Sequence, residues 1–126
     1  MIITLIVLNI CHWAADFTHL STPWMLNAKQ SGKPLLPVFA HAGVHAVLFF
    51  IAVLVLHGIE KAILAAAIQL PMHFAIDVFK GRLNGWFPGL RSFDNKFHWY
   101  VFGADQFLHQ CVIIVTSALV CGYSLK

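Results

Sequence analysis

Long apolar runs, each broken by a polar pair at the same spacing, give this chain its pattern. The runs fall at about residues 2–20, 36–57, 61–80 and 99–123. Each is close to the ~20 residues with which an α-helix crosses a bilayer. Between them lie STPWMLNAKQSGKPL, the short HGIE turn and GRLNGWFPGLRSFDNKFH, whose Gly, Pro and Asn mark connections. The pattern predicts an all-α polytopic membrane protein: a single domain over residues 1–126, with four transmembrane helices in an up-down-up-down bundle.

The interruptions are themselves regular. The first run carries His12 and Asp16, the second His41 and His45, the third His73 and Asp77, the fourth Asp105 and His109. All four pairs are spaced i,i+4, so each lies on one face of its helix. The pairs come late in the first and third runs and early in the second and fourth. Alternating helix direction therefore brings all eight side chains to one level, roughly 9–12 Å below one surface at 1.5 Å per residue. Small residues flank them: Ala14, Ala15, Ala40, Ala42, Gly43, Ala75, Gly103 and Ala104. Small residues permit close helix approach in membranes. HWAADF in the first run echoes HFAIDVF in the third, which predicts two similar helical hairpins.

Composition agrees with a bilayer setting. Hydrophobic residues make up 60% of the chain and charged residues 10%, against about a quarter charged in soluble domains. The formal net charge is only +3, and no basic run is interleaved with aromatics. Nucleic acid is therefore not an expected partner. Cys11, Cys111 and Cys121 form no CxxC pair and read as small buried hydrophobes. The N-terminal run lacks a basic leader and reads as a retained helix. Lys29, Lys33, Lys80, Arg82, Arg91 and Lys96 gather around the first and third connections, with only Lys61 and Lys126 on the other side. The positive-inside rule then places those two connections in the cytoplasm and both termini outside. The expected location is a bacterial inner (cytoplasmic) membrane. The aromatic third connection suits the headgroup level.

Charged groups inside hydrocarbon are costly and mark functional sites. Five histidines and three aspartates form a nitrogen–oxygen ligand set suited to zinc, manganese, iron or cobalt. Four-helix bundles build such centres from inward-pointing side chains. Eight ligands exceed what one ion takes, which favours two ions, although one also balances charge with Lys80. Two other readings stand beside this one: a proton or ion path through the same residues, and a metal-free polar network fixing helix register in a structural or accessory subunit. The almost wholly apolar far halves of the second and fourth runs weigh against a through-path. Lys80 and Arg82 are candidate contacts for the phosphate of an amphiphilic substrate. His19 is a marginal addition to the site, and Gln106 or Gln110 could support it. His57 and His98 fall at segment ends. No seam specifies a partner, though short helices suit a homo-oligomer.

HWAADF, HAGVH, HFAIDVFK and DQFLH together resemble a family of small bacterial membrane proteins catalogued as domain of unknown function 3307. The likeness runs over nearly the whole chain. Its pattern is His-x3-Asp-Phe, then His-x3-His after a Lys-containing loop, then His-x2-Ile-Asp-x2-Lys, then Asp-Gln-x2-His. It falls here on His12, Asp16, Phe17, His41, His45, His73, Asp77, Lys80, Asp105, Gln106 and His109. More distantly, the arrangement is similar to small membrane-bound metal-dependent hydrolases. That resemblance implies a metal-dependent hydrolase, and a shallow site beneath a basic, aromatic loop suits an amphiphile with an anionic head, such as a phospholipid or isoprenoid phosphate.

Overall fold

The computed structural model describes residues 1–122. Among these it contains five α-helices and no strand: α1 (Ile2–Phe17), α2 (Pro23–Ser31), α3 (Leu35–His57), α4 (Ile59–Trp86) and α5 (Lys96–Val120), with a 3-10 turn at Pro88–Arg91. α3, α4 and α5 are long and apolar enough to cross a membrane; α1 is apolar but shorter, at 16 residues. The chain is thus all-helical, as the periodicity predicts. The expected end of the fourth run at Tyr123 lies outside the described residues, as does Lys126 from the charge count.

The long helices pack in a ring. α3 lies between α1 and α4, and α5 lies between α4 and α1. Leu8, Phe49, Val53, Ala62, Ala65, Ile113 and Val120 fill one half of the interior. The outward side chains are also apolar: Ile6, Ile10 and Trp13 on α1, Val47, Ile51 and Val55 on α3, Phe107 and Ile114 on α5 are all exposed. An apolar exterior around a partly polar interior suits a lipid surround.

Two departures from the sequence reading matter for the site. The first connection is not a plain loop, because its middle forms α2. Thr22 caps that helix, its hydroxyl accepting from the Met25 N–H, with Pro23 in the first turn and Gly32 left-handed at the C-terminal cap. A Pro that starts a helix and a Gly that ends one are ordinary boundary signals; the sequence reading took both for turn residues. α4, in turn, continues six residues past the expected Lys80, through GRLNGW.

One contact joins the two. Gly32 and Gly81 bring α2 and α4 together backbone to backbone. A Cβ at Gly81 would collide with the backbone of Gly32, and one at Gly32 would lie 2.7 Å from the Val78 carbonyl oxygen. Gly32 also sits at φ +65°, where other residues are strained. The close approach expected at the polar pairs is only partly present. Ala15 and Ala42 are buried, but Ala75 and Ala104 are exposed, and nothing lies within 4 Å of a Cβ at Gly43 or Gly103.

Candidate metal centre

α1, α3, α4 and α5 each turn their i,i+4 pair into the bundle, and the four pairs meet. His12 Nε2 stands 3.2 Å from Asp16 Oδ2, and His73 Nε2 3.2 Å from Asp77 Oδ2. Asp16 Oδ1 faces two imidazoles of α3, at 3.0 Å from His41 Nε2 and 3.4 Å from His45 Nε2. His109 Nε2 lies 3.6 Å from both Asp77 Oδ1 and Asp105 Oδ1. The His45 and His73 rings stack with centroids 3.6 Å apart, and His109 follows at 4.1 Å from His73. Seven of the eight residues are buried, and the Asp16 side chain is only 6% exposed.

The donor set fits an ion. Three groups of ligand atoms lie within 4.8 Å of one another: Asp16, His41, His45 and His73; His12, His73 and His109; Asp77, Asp105 and His109. They share His73 and His109 and together take in all eight residues. Around a tetrahedral ion with bonds of ~2.0–2.1 Å, neighbouring ligand atoms stand ~3.3 Å apart; within the groups, Asp16 lies 3.0 Å from His41 and 3.4 Å from His45, and His109 lies 3.6 Å from Asp77 and Asp105. Many of these buried atoms make no aligned hydrogen bond and only face an opposite group at 3.2–3.6 Å: Nε2 of His12, His73 and His109, both Asp77 oxygens, Asp16 Oδ2 and Asp105 Oδ1. Buried polar atoms without an aligned hydrogen bond are costly, and an ion placed among so many of them would engage several at once.

Lys29 is the residue that the sequence reading did not assign to the site. α2 carries it over the cluster. Its Nζ donates to Asp16 Oδ1 at 3.1 Å, stands 3.3 Å from Asp77 Oδ2 and lies 3.0 Å from His41 Nε2. Its side chain is 15% exposed. Burial works against the Lys29 charge, but the Asp77 and Asp16 carboxylates hold its pKa above the ordinary lysine value. His41 Nε2 meets conflicting demands, because Lys29 offers only protons and Asp16 only accepts them.

Other placements follow. The Gln69 amide stands with Nε2 3.2 Å from His73 Nδ1, and its carbonyl oxygen has no partner among the described residues, so the amide is better satisfied turned over. With its amide carbonyl turned to that nitrogen, Nδ1–H donates and Nε2 keeps a lone pair for the cluster, the usual arrangement at a ligating imidazole. Gln69 is not singled out by the sequence pattern; its place four residues before His73 is the signal that would find it. Ser21 Oγ stands 3.5 Å from His41 Nδ1. Lys80 pairs with Asp105 at 3.1 Å rather than with Asp77, and Gln106 donates to the same Asp105 oxygen at 3.2 Å. Arg82 is drawn away: its Nε donates to the Gly32 carbonyl at 3.4 Å. His19 is exposed and joins none of the three groups. His57 lies at the far end and bonds the Thr4 hydroxyl at 2.8 Å.

The fold and the cluster define a class: a helical protein with membrane-spanning candidates, built around a buried His–Asp centre that can hold a metal ion. Within that class, the chain belongs to the family described as Protein of unknown function (DUF3307), whose model matches residues 4–126. No curated protein and no solved structure matches it.

Proposed function

We propose that this protein is a membrane-embedded metalloenzyme, a metal-dependent hydrolase acting on an amphiphilic phosphate at the cytoplasmic side of a bacterial inner membrane. The observation that carries this reading is the set of buried imidazole nitrogens and carboxylate oxygens turned toward one another from four helices, many without an aligned hydrogen bond. His12, Asp16, His41, His45, His73, Asp77, Asp105 and His109 are the candidate ligands, of which a single ion takes one group of three or four and the rest surround it.

α1 serves as a fourth span in this reading. At about 24 Å it is shorter than the ~30 Å hydrocarbon core, so the bilayer thins beside it or the residues after Phe17 complete the crossing. Two similar hairpins, α1–α3 and α4–α5, then form the bundle, with both termini outside. The bilayer is the constant partner.

Lys29 changes the expected ion count. The three carboxylates with the Lys29 and Lys80 ammonium groups leave one net negative charge. One divalent ion turns this to one net positive charge, which an anionic substrate offsets; two ions leave a surplus of three. One ion, of zinc, manganese or iron, is therefore favoured over two. When bound, such an ion lowers the pKa of an attached water and polarises the scissile group. The chain's own residues hold the centre beneath the α2 cover, and Lys29 neutralises developing negative charge from a position touching both Asp16 and Asp77.

The test is hydrolysis of long-chain phosphate esters by protein in detergent or nanodiscs. Turnover is expected to vanish with a chelator and return with one added divalent ion. Metal-loaded protein that releases no phosphate from any such ester overturns the enzyme reading.

A further inference from the structure

A cavity of about 370 Å³ opens between α2, the first turns of α5 and the 87–95 segment, directly over the cluster. Its volume falls in the ~300–1,000 Å³ range of small-molecule sites. Asp16 and Asp105 lie in its wall, so it reaches the centre itself. Three cations line it: Lys29, Lys80 and Arg91. Lys29 and Lys80 are engaged with carboxylates, but Lys80 commits only one of its three protons to Asp105. Among the described residues, no carboxylate lies within ion-pair distance of Arg91.

The backbone that carries Arg91 is held in place by its neighbours, while the side chain itself is exposed. It ends the 3-10 turn that follows α4. The Asn95 amide donates to the Gly89 carbonyl at 2.9 Å, His98 Nδ1 donates to the Leu90 carbonyl at 2.7 Å, and the Trp99 indole donates to the Phe93 carbonyl at 3.0 Å. Three side chains from the start of α5 thus fix the backbone on either side of Arg91. Gln30 and Gln106 also line the cavity, and Phe17 and Phe93 supply apolar walls whose side chains are largely exposed.

We infer that this cavity binds a phosphate oxyanion, with Arg91 as the residue that recognises it and Lys80 as its second cation. A planar guanidinium with five donors suits a tetrahedral oxyanion, and its free state leaves those donors available. The inference deepens the hydrolase reading and rests on it at one point: the Asp16 and Asp105 carboxylates repel an anion unless a cation offsets them. The phosphate is either the head of an amphiphile whose chain lies along Phe17 and Phe93, or free phosphate.

Binding of dodecyl phosphate, inorganic phosphate and dodecanol to the full chain in zwitterionic nanodiscs, with metal content measured in parallel, tests this. Arg91→Gln is expected to weaken phosphate binding by about tenfold or more, the scale of a lost charge-assisted hydrogen bond, with metal content unchanged. Arg91→Lys is expected to recover part of the loss. Tighter binding of dodecyl phosphate than of inorganic phosphate assigns the lipid source; equal binding assigns free phosphate. Arg91→Gln protein that binds like the parent overturns the inference, as does dodecanol binding as tightly as dodecyl phosphate. Metal-loaded protein that binds neither phosphate overturns this site alone. Phosphate binding to metal-free protein supports this site and removes its dependence on the ion; protein that takes up neither metal nor phosphate overturns both readings.

Discussion

Asp77→Asn protein is expected to fold but to lose its metal affinity by at least ~100-fold, since changes merely around metal ligands already cost 10–100-fold. Asp77 is the most enclosed carboxylate, with a side chain 0% exposed. Its Oδ2 faces His73, Lys29 and His41, and its Oδ1 faces His109. It therefore touches residues from α2, α3, α4 and α5 at once. Asparagine keeps the shape and removes the charge, so a loss of metal without gross unfolding separates ligation from packing. Equilibrium dialysis against zinc or manganese, with elemental analysis, reads the change. His57→Ala is the control: its partner is Thr4 at the opposite end, and its metal content is expected to equal that of the parent. Equal affinity in Asp77→Asn and the parent would remove Asp77 from the ligand set.

Lys29→Met is expected to destabilise the metal-free protein by about 3–5 kcal/mol, the scale for removing one partner of a buried ion pair. The ammonium stands between Asp16 and Asp77, and its loss leaves two carboxylates facing each other without it. A divalent ion supplies the missing positive charge. Added metal should therefore raise the melting temperature of Lys29→Met protein by more than it raises that of the parent, because ligand binding to the folded state stabilises by mass action. A variant that melts early and gains nothing from metal would favour a metal-free network in which Lys29 is the only cation that counts. Gly81→Val should partly reproduce the variant, since its side chain forces α2 off α4 and carries Lys29 with it.

The sequence revealed the eight paired residues because their signal is local. An i,i+4 spacing fixes a face, and alternating helix direction fixes a depth; neither needs knowledge of tertiary contacts. All eight meet in the three adjoining ligand groups. Lys29 was less legible. It lies on a short amphiphilic helix inside a connection, and its reach into the cluster depends on Gly32 touching Gly81 some fifty residues away. The boundary signals of α2, Thr22-Pro23 and Gly32, were present in the sequence, and so was the lysine in the loop before the His41–His45 pair. What the chain did not announce was that two glycines would meet. Arg82 and Arg91 show the same limit. Both are basic residues at the end carrying α2, but Arg82 turns to the Gly32 carbonyl, while the turn at Pro88 brings Arg91 to the cavity. The flanking small residues misled in part, because a glycine facing outward and a glycine in a helix contact look alike in sequence.

The central claim is that the His–Asp cluster holds a metal ion, and X-ray absorption on wild-type protein purified without chelator tests it most directly. The expected result is about one divalent ion per chain, with imidazole nitrogen and carboxylate oxygen at ~2.0–2.2 Å. Protein that carries no metal, and takes up none from zinc, manganese or iron with no change in melting temperature, would contradict it.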